Sequence, residues 1–159
     1  MSKWFSCFSK ACVTRETLRP VPENVTWKDT VVFVPSVDSG RVIKVYDADT
    51  ITIASYMSNV DNNIVYRFSV RLLGIDSAEL KTHSFVEKEE AIHARDMLYS
   101  KVFGKIVTLK NVSIEKYGRL LADVYLDDIH INQWMIDKKL AVSYDGKTKH
   151  RPSEWEIYS

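Results

Sequence analysis

The stretch "VRLLGIDSAELK", residues 70–81, decides how this chain is read. It opens as a buried strand would, with Val70, Leu72 and Leu73, yet it sets Arg71 among those apolar neighbours. It then closes on two carboxylates, Asp76 and Glu79, three residues apart. A strand that only fills a core needs none of these charges. Just upstream the pattern has the period of two expected of a half-buried strand. Tyr66, Phe68, Val70 and Leu72 share one face, and Arg67, Ser69 and Arg71 share the other.

Working outward, strand signals come in quick succession. "GRVIKVYD" (40–47) and "TITIASYM" (50–57) both alternate, and "SNVDNN" (58–63) is a turn cluster. "TVVFVPSV" (30–37) is β-branched but interrupted by Pro35, which suits an edge or entry segment. Downstream, Ser84 with Glu87 fits a capping box. Ala91, Ala94, Leu98 and Val102 then mark a helical stripe that Gly104 would stop. "KIVTLKNV" (105–112) and "RLLADVYL" (119–126) read as two more strands joined through "SIEKYG", and a second helix is predicted over 130–139 with Ile131, Trp134 and Met135 inward. The acidic run "EKEE" (87–90) reads as a solvated first helical turn, where negative charge is favoured. The tail from Tyr144 has turn chemistry and no clear period.

Three strands, a helix, two strands and a helix predict an α+β, mainly β fold. The architecture expected is a five-stranded, OB-fold-like Greek-key barrel with two to three helices. Few helices among many strands argue against a doubly wound sheet. The 159 residues suit one core. Residues 1–29 are expected to be a tail and connector, with Pro20 and Pro22, and residues 30–159 the folded domain.

Composition narrows function by exclusion. A net charge of +1 gives little global attraction to nucleic acid or membrane, so phosphate binding must come from a local cluster. Cys7 and Cys12 are too few for a disulfide framework. No apolar run approaches the ~18 residues of a membrane span, and "MSKWFSCFSKACV" lacks the apolar core of a secretory signal. A cytoplasmic or membrane-associated protein is therefore expected rather than a secreted one. As a helix, residues 1–12 would place Trp4, Phe5, Phe8 and Cys12 on one face, giving either peripheral membrane contact with acylated cysteines, or a short helix packed on the domain or a frayed tail. His83, His93, His130 and His150 show no zinc spacing and read as surface or capping residues.

Charges at strand ends gather in three segments: "DADT" (47–50), "RLLGIDSAE" (71–79) and "EKYGRL" (115–120). Each alone is an ordinary turn or an edge pair. Together they supply what phosphodiester cleavage needs. Oxygen ligands can hold a hard divalent cation that neutralises charge growing on phosphorus. Arginine forks match phosphate oxygens. A spare carboxylate can take the proton of an attacking water.

The order "DADT … RLLGIDSAE … EKYGR" resembles the staphylococcal-nuclease-like, or thermonuclease, family, from about residue 39 to residue 145 and including "INQWMIDKKLA" after the last strand. The resemblance implies a calcium-dependent nuclease that cuts DNA and RNA with little sequence preference and leaves 3′-phosphate ends. It implies that Asp49 and Asp76 hold calcium through carboxylates and Ser77 through its backbone carbonyl, with Asp47 close behind. Glu79 would be the base, and Arg71 and Arg119 would grip the phosphate. Lys116, Tyr117 and Tyr144 match or lie near positions that contact the nucleotide in relatives. Magnesium or manganese suits the same donors. DNA or RNA is the expected partner, and the protein is expected to be monomeric.

The chain departs from the family's usual Asp-Gly-Asp-Thr at Ala48, and from its usual proline before the base at Ala78. A positive φ at Ala48 would cost ~1 kcal/mol, and alanine at 78 loosens the loop that carries Glu79. The C-terminal stretch is also short for a full last helix. A non-catalytic OB module that binds nucleic acid or protein is the rival reading. Retention of all six charged groups favours the enzyme.

Overall fold

The structure, a computed structural model, describes residues 19–57 and 63–146. The amphipathic segment 1–12 with its two cysteines, most of the 58–63 turn cluster, His150 and the tail beyond 146 lie outside the described residues. The chain divides into two units, Met1–Phe33 and Val34–Ser159. In the first, a short 3-10 turn spans Trp27–Asp29. The Asp29 carboxylate accepts from the Thr26 amide at 2.9 Å and from its hydroxyl at 2.6 Å.

The second unit is built on strands β1 (Ser39–Asp47), β2 (Thr50–Ser55), β3 (Tyr66–Leu72), β4 (Ile75–Asp76), β5 (Ile106–Ile114), β6 (Leu120–Leu126), β7 (Ile129–His130) and β8 (Val142–Ser143). Helices α1 (Phe85–Val102) and α2 (Ile131–Asp137) complete it. The sheet runs β3-β2-β1-β5-β6-β7, and a parallel pairing of β3 with β6 closes the first five strands into a barrel. The fold is the expected mainly β, OB-type barrel with two helices. Closure removes the free edges that an open five-stranded sheet would leave.

Alternation places the core. Ile51, Ile53, Val70, Leu72, Val107 and Val124 are fully buried, and burial of such a side chain contributes roughly 1.5–3 kcal/mol. The helical stripe of α1 falls where its spacing predicted, and Ala94, Leu98 and Val102 join the same cluster. Three local readings differ. Alternation in β1 breaks at a bulge between Val42 and Lys44, so Ile43 and Lys44 both face outward. Residues 30–38 form no strand. Glu87 is not solvated with the rest of its acidic run but is 4% exposed. It occupies the position four residues before Ala91 on the inward stripe, so the helical phase turns it inside.

Helix α2 is shorter than expected and buries Asn132, which the apolar pattern passes over. The Asn132 side chain accepts from the Val124 amide at 2.9 Å and donates to the carbonyls of Leu73 at 2.9 Å and Ala122 at 3.2 Å. It thereby ties α2 to β6 and to the turn after β3. Asn132→Leu takes their side-chain partner from the Val124 amide and the Leu73 carbonyl, while the Ala122 carbonyl keeps the Leu73 amide, and is expected to destabilise the fold by about 2–4 kcal/mol in urea titration.

Candidate active site

Strand register, not chain proximity, assembles the three charged segments. Ala48 and Asp49 form the tight turn between β1 and β2, where Asp47 pairs with Thr50. Ala48 is buried and is not among the described non-glycine residues of positive φ, so alanine costs no backbone strain there. Thr50 pairs with Arg71 across β2 and β3, and the Leu72 amide donates to the Asp49 carbonyl at 2.8 Å. Arg71 in turn pairs with Leu121 across the barrel seam, which brings the start of β6 and Arg119 beside the same turn. Gly74, at φ +76, lets the chain reverse from β3 into β4. The pairing of β4 with β8 then fixes Asp76 opposite Val142.

Asp47, Asp49, Arg71, Asp76, Ser77 and Glu79 line one cavity of about 400 Å³, together with Tyr46, Ala78, Leu80 and Lys81. Within it the Arg71 guanidinium bridges two carboxylates, with Nη1 2.5 Å from Asp49 Oδ2 and Nη2 3.0 Å from Asp76 Oδ1. Both carboxylates are nearly buried, and Glu79 is exposed at the rim. Burial pushes the Asp49 carboxyl up to about 7, assisted by the charge of Asp47, against the pull of Arg71 and the Thr50 hydroxyl. Burial acts to lower Arg71, but Asp49, Asp76 and Glu115 outweigh it and hold the guanidinium above its ordinary value.

Arg119 is not among the residues that line this cavity, but it reaches the same turn. Its Nη1 lies 3.3 Å from Thr50 Oγ1, and that hydroxyl donates to Asp49 Oδ1 at 2.8 Å. The Arg119 Nε pairs with Glu115. A second cleft of about 570 Å³ opens next to the first and shares Arg71 with it. Glu115, Lys116 and Tyr144 line this cleft, whereas Tyr117 is exposed on the turn with Lys116 Nζ 4.8 Å from its ring centre. Sequence reasoning missed Thr50, Glu115, Tyr46 and Lys81. Nothing in their local patterns separates them from ordinary turn and strand residues.

Among the described residues, no three His, Cys, Asp or Glu side chains cluster as a metal-binding group. The expected donor set, two carboxylates and the Ser77 carbonyl, contains only two such side chains. Its chemistry fits a hard divalent cation all the same. The cavity carries Asp47, Asp49, Asp76 and Glu79 against Arg71 and Lys81. The Asp49 carboxyl is raised to about 7 chiefly by burial and next by the charge of Asp47, and a cation among these oxygens would offset both.

Fold and site define a class: a closed OB-type barrel carrying a carboxylate–arginine pocket at a strand turn. The sequence model of the family described as "Staphylococcal nuclease homologue" matches residues 69–158, more than half of the chain, and the chain belongs to that family. It is 34% identical over 107 residues to an Escherichia coli O157:H7 protein named "Uncharacterized endonuclease", covering 67% of this chain and 61% of that protein. It is 36% identical over 85 residues to "Probable endonuclease C19F8.04c" of Schizosaccharomyces pombe, covering 49% and 37%. It is 32% identical over 93 residues to "Staphylococcal-like nuclease CAN1" of Arabidopsis thaliana, covering 57% and 26%. The matched stretches thus span less than two thirds of those proteins. Among the described residues no helix is long and apolar enough to cross a membrane.

Proposed function

We propose that the protein is a calcium-dependent nuclease that hydrolyses phosphodiester bonds of DNA or RNA with little sequence preference and leaves 3′-phosphate ends. One observation carries the reading: Arg71 bridges Asp49 and Asp76 inside a pocket rimmed by Glu79. Asp49, Asp76 and the Ser77 backbone carbonyl would hold the cation, with Asp47 behind them. When bound, the cation supplies charge neutralisation at the phosphate and orients water. Glu79, exposed at the rim, takes a proton from the attacking water. Arg71 in the pocket and Arg119 beside Thr50 stabilise the phosphoryl oxygens as negative charge grows on them. Lys116, Tyr117 and Tyr144, on or beside the adjoining cleft, hold the neighbouring nucleotide. Such contacts address phosphate and ring faces, which explains weak sequence preference.

The test is a screen of plasmid, single-stranded DNA and RNA against calcium, magnesium and manganese. Cleavage with calcium and its loss in chelator are expected. Cleavage that persists in chelator refutes the metal-assisted reading. Oligonucleotide affinity without metal and without product makes the protein a binding module instead. The family relationship and its nuclease-named relatives support the enzyme.

A further inference from the structure

We propose that Glu87 is a positioning residue for Glu79, the candidate base, which deepens the nuclease reading above and rests on it. The Glu87 side chain lies on the inward stripe of α1 with Ala91, Ala94, Leu98 and Val102, where an apolar residue is the rule. A carboxylate buried to 4% exposure is costly unless its oxygens are satisfied. Here one oxygen, Oε1, accepts from the backbone amide of Glu79 at 3.4 Å. The other, Oε2, accepts from the Thr82 hydroxyl at 2.6 Å. The Thr82 oxygen accepts in turn from the Ser84 amide at 3.2 Å, and the Ser84 hydroxyl accepts from the Glu87 amide at 3.3 Å. The result is a small network at the first turn of an 18-residue helix, where the helix dipole favours negative charge.

The network has a direction. Glu87 is anchored in the rigid helix, and Glu79 sits on the irregular segment between β4 and α1. Alanine rather than proline precedes Glu79, so that segment lacks one source of backbone stiffness. Holding the Glu79 amide from the helix replaces it. Glu79 lines the pocket as an exposed residue, and its backbone amide is held from the helix side. A base displaced by about 1 Å can lose up to roughly a hundredfold in rate. A group that acts only through the backbone of the base should lower kcat and leave substrate affinity alone.

The experiment uses the full chain, a single-stranded DNA oligonucleotide and calcium. Glu87→Ala is expected to lower kcat by about 10- to 30-fold with KM unchanged. Glu87→Gln, which keeps an acceptor oxygen, is expected to restore most of that loss. In a Glu79→Gln background, Glu87→Ala is expected to cost nothing further, because the two act through one group. Thr82→Val, a milder change, should move kcat in the same direction. Independently of activity, the Glu79 amide should exchange its hydrogen faster in Glu87→Ala and in Thr82→Val. Unchanged kcat and unchanged exchange in these variants overturn the proposal. So does an equal kcat loss in the Glu79→Gln background, which would mean that Glu87 acts on the fold at large. Absence of cleavage by the wild-type chain under every cation overturns the nuclease reading instead, and amide exchange then still decides whether Glu87 holds the loop.

Discussion

Exchange of Glu79 for Gln is expected to slow phosphodiester cleavage by about two to four powers of ten, the usual worth of a positioned proton acceptor. The substitution keeps size and shape and removes the negative charge, and with it the capacity to take a proton. Glu79 is an exposed residue and Gln keeps its shape, so stability should stay within about 0.5 kcal/mol of wild type. Its backbone amide still meets Glu87 at 3.4 Å. Calcium affinity should change little, because the proposed donors are Asp49, Asp76 and the Ser77 carbonyl. The pattern to look for is therefore a folded protein that binds cation and oligonucleotide with near-normal affinity and turns over at a small fraction of the rate. Single-turnover kinetics with calorimetric cation titration reads all three quantities. Wild-type rates in Glu79→Gln would remove Glu79 from the chemistry.

The barrel and most of the residues lining its pocket are legible in the sequence because their signals are local. Period-two runs with turn clusters between them announce strands, and an arginine inside such a run has no structural excuse unless something outside the core needs it. What could not be read locally is set by register and helical phase. Thr50 and Glu115 look like turn residues in the sequence. They become parts of the site only because Thr50 pairs with Arg71 and Arg71 pairs with Leu121, which sets Arg119 between them. The short pairing of β4 with β8, which fixes Asp76, is two residues long and carries no periodic signature. Glu87 was misread for a different reason. Its neighbours Lys88, Glu89 and Glu90 are exposed, and a charge run suggests water. Its spacing from Ala91 and Leu98 places it inside, and the tertiary partners Thr82 and Glu79 make that burial tolerable. Asn132 is the same lesson in a neutral side chain: three backbone partners, two on β6 and one in the turn after β3, stabilise a polar group where the pattern asked for an apolar one.

Arg71→Ala should show a second large effect, and one that separates stability from chemistry. Arg71 serves two purposes with one side chain. Towards substrate its proposed role is a planar fork for phosphate oxygens, and losing such a donor typically costs about two to three powers of ten in rate. Towards the protein it is the counter-charge of Asp49 and Asp76, whose side chains are only 5% and 6% exposed. Removing one partner of a buried ion pair leaves an uncompensated charge and costs about 3–5 kcal/mol. Part of that cost is escaped if Asp49 takes up a proton, which its already raised pKa makes easy. The loss should therefore be largest at pH 8 and smaller at pH 6, since Asp49 is driven to its charged form as pH climbs past about 7. A divalent cation held by the same two carboxylates supplies the missing positive charge, so calcium should raise the melting temperature of Arg71→Ala by more than it raises that of wild type. Cleavage should not recover with it, because the fork that meets the phosphate is still gone. Arg71→Lys should behave like the alanine variant in rate, since a single ammonium cannot reach both carboxylates and the phosphate at once. Thermal melts of the two variants at pH 6 and pH 8, in chelator and in calcium, read the stability terms, and cleavage assays read the chemical one. Equal calcium shifts in wild type and Arg71→Ala would show that the cation is not held where Arg71 joins the two aspartates, and the metal site would then have to be sought elsewhere on the barrel.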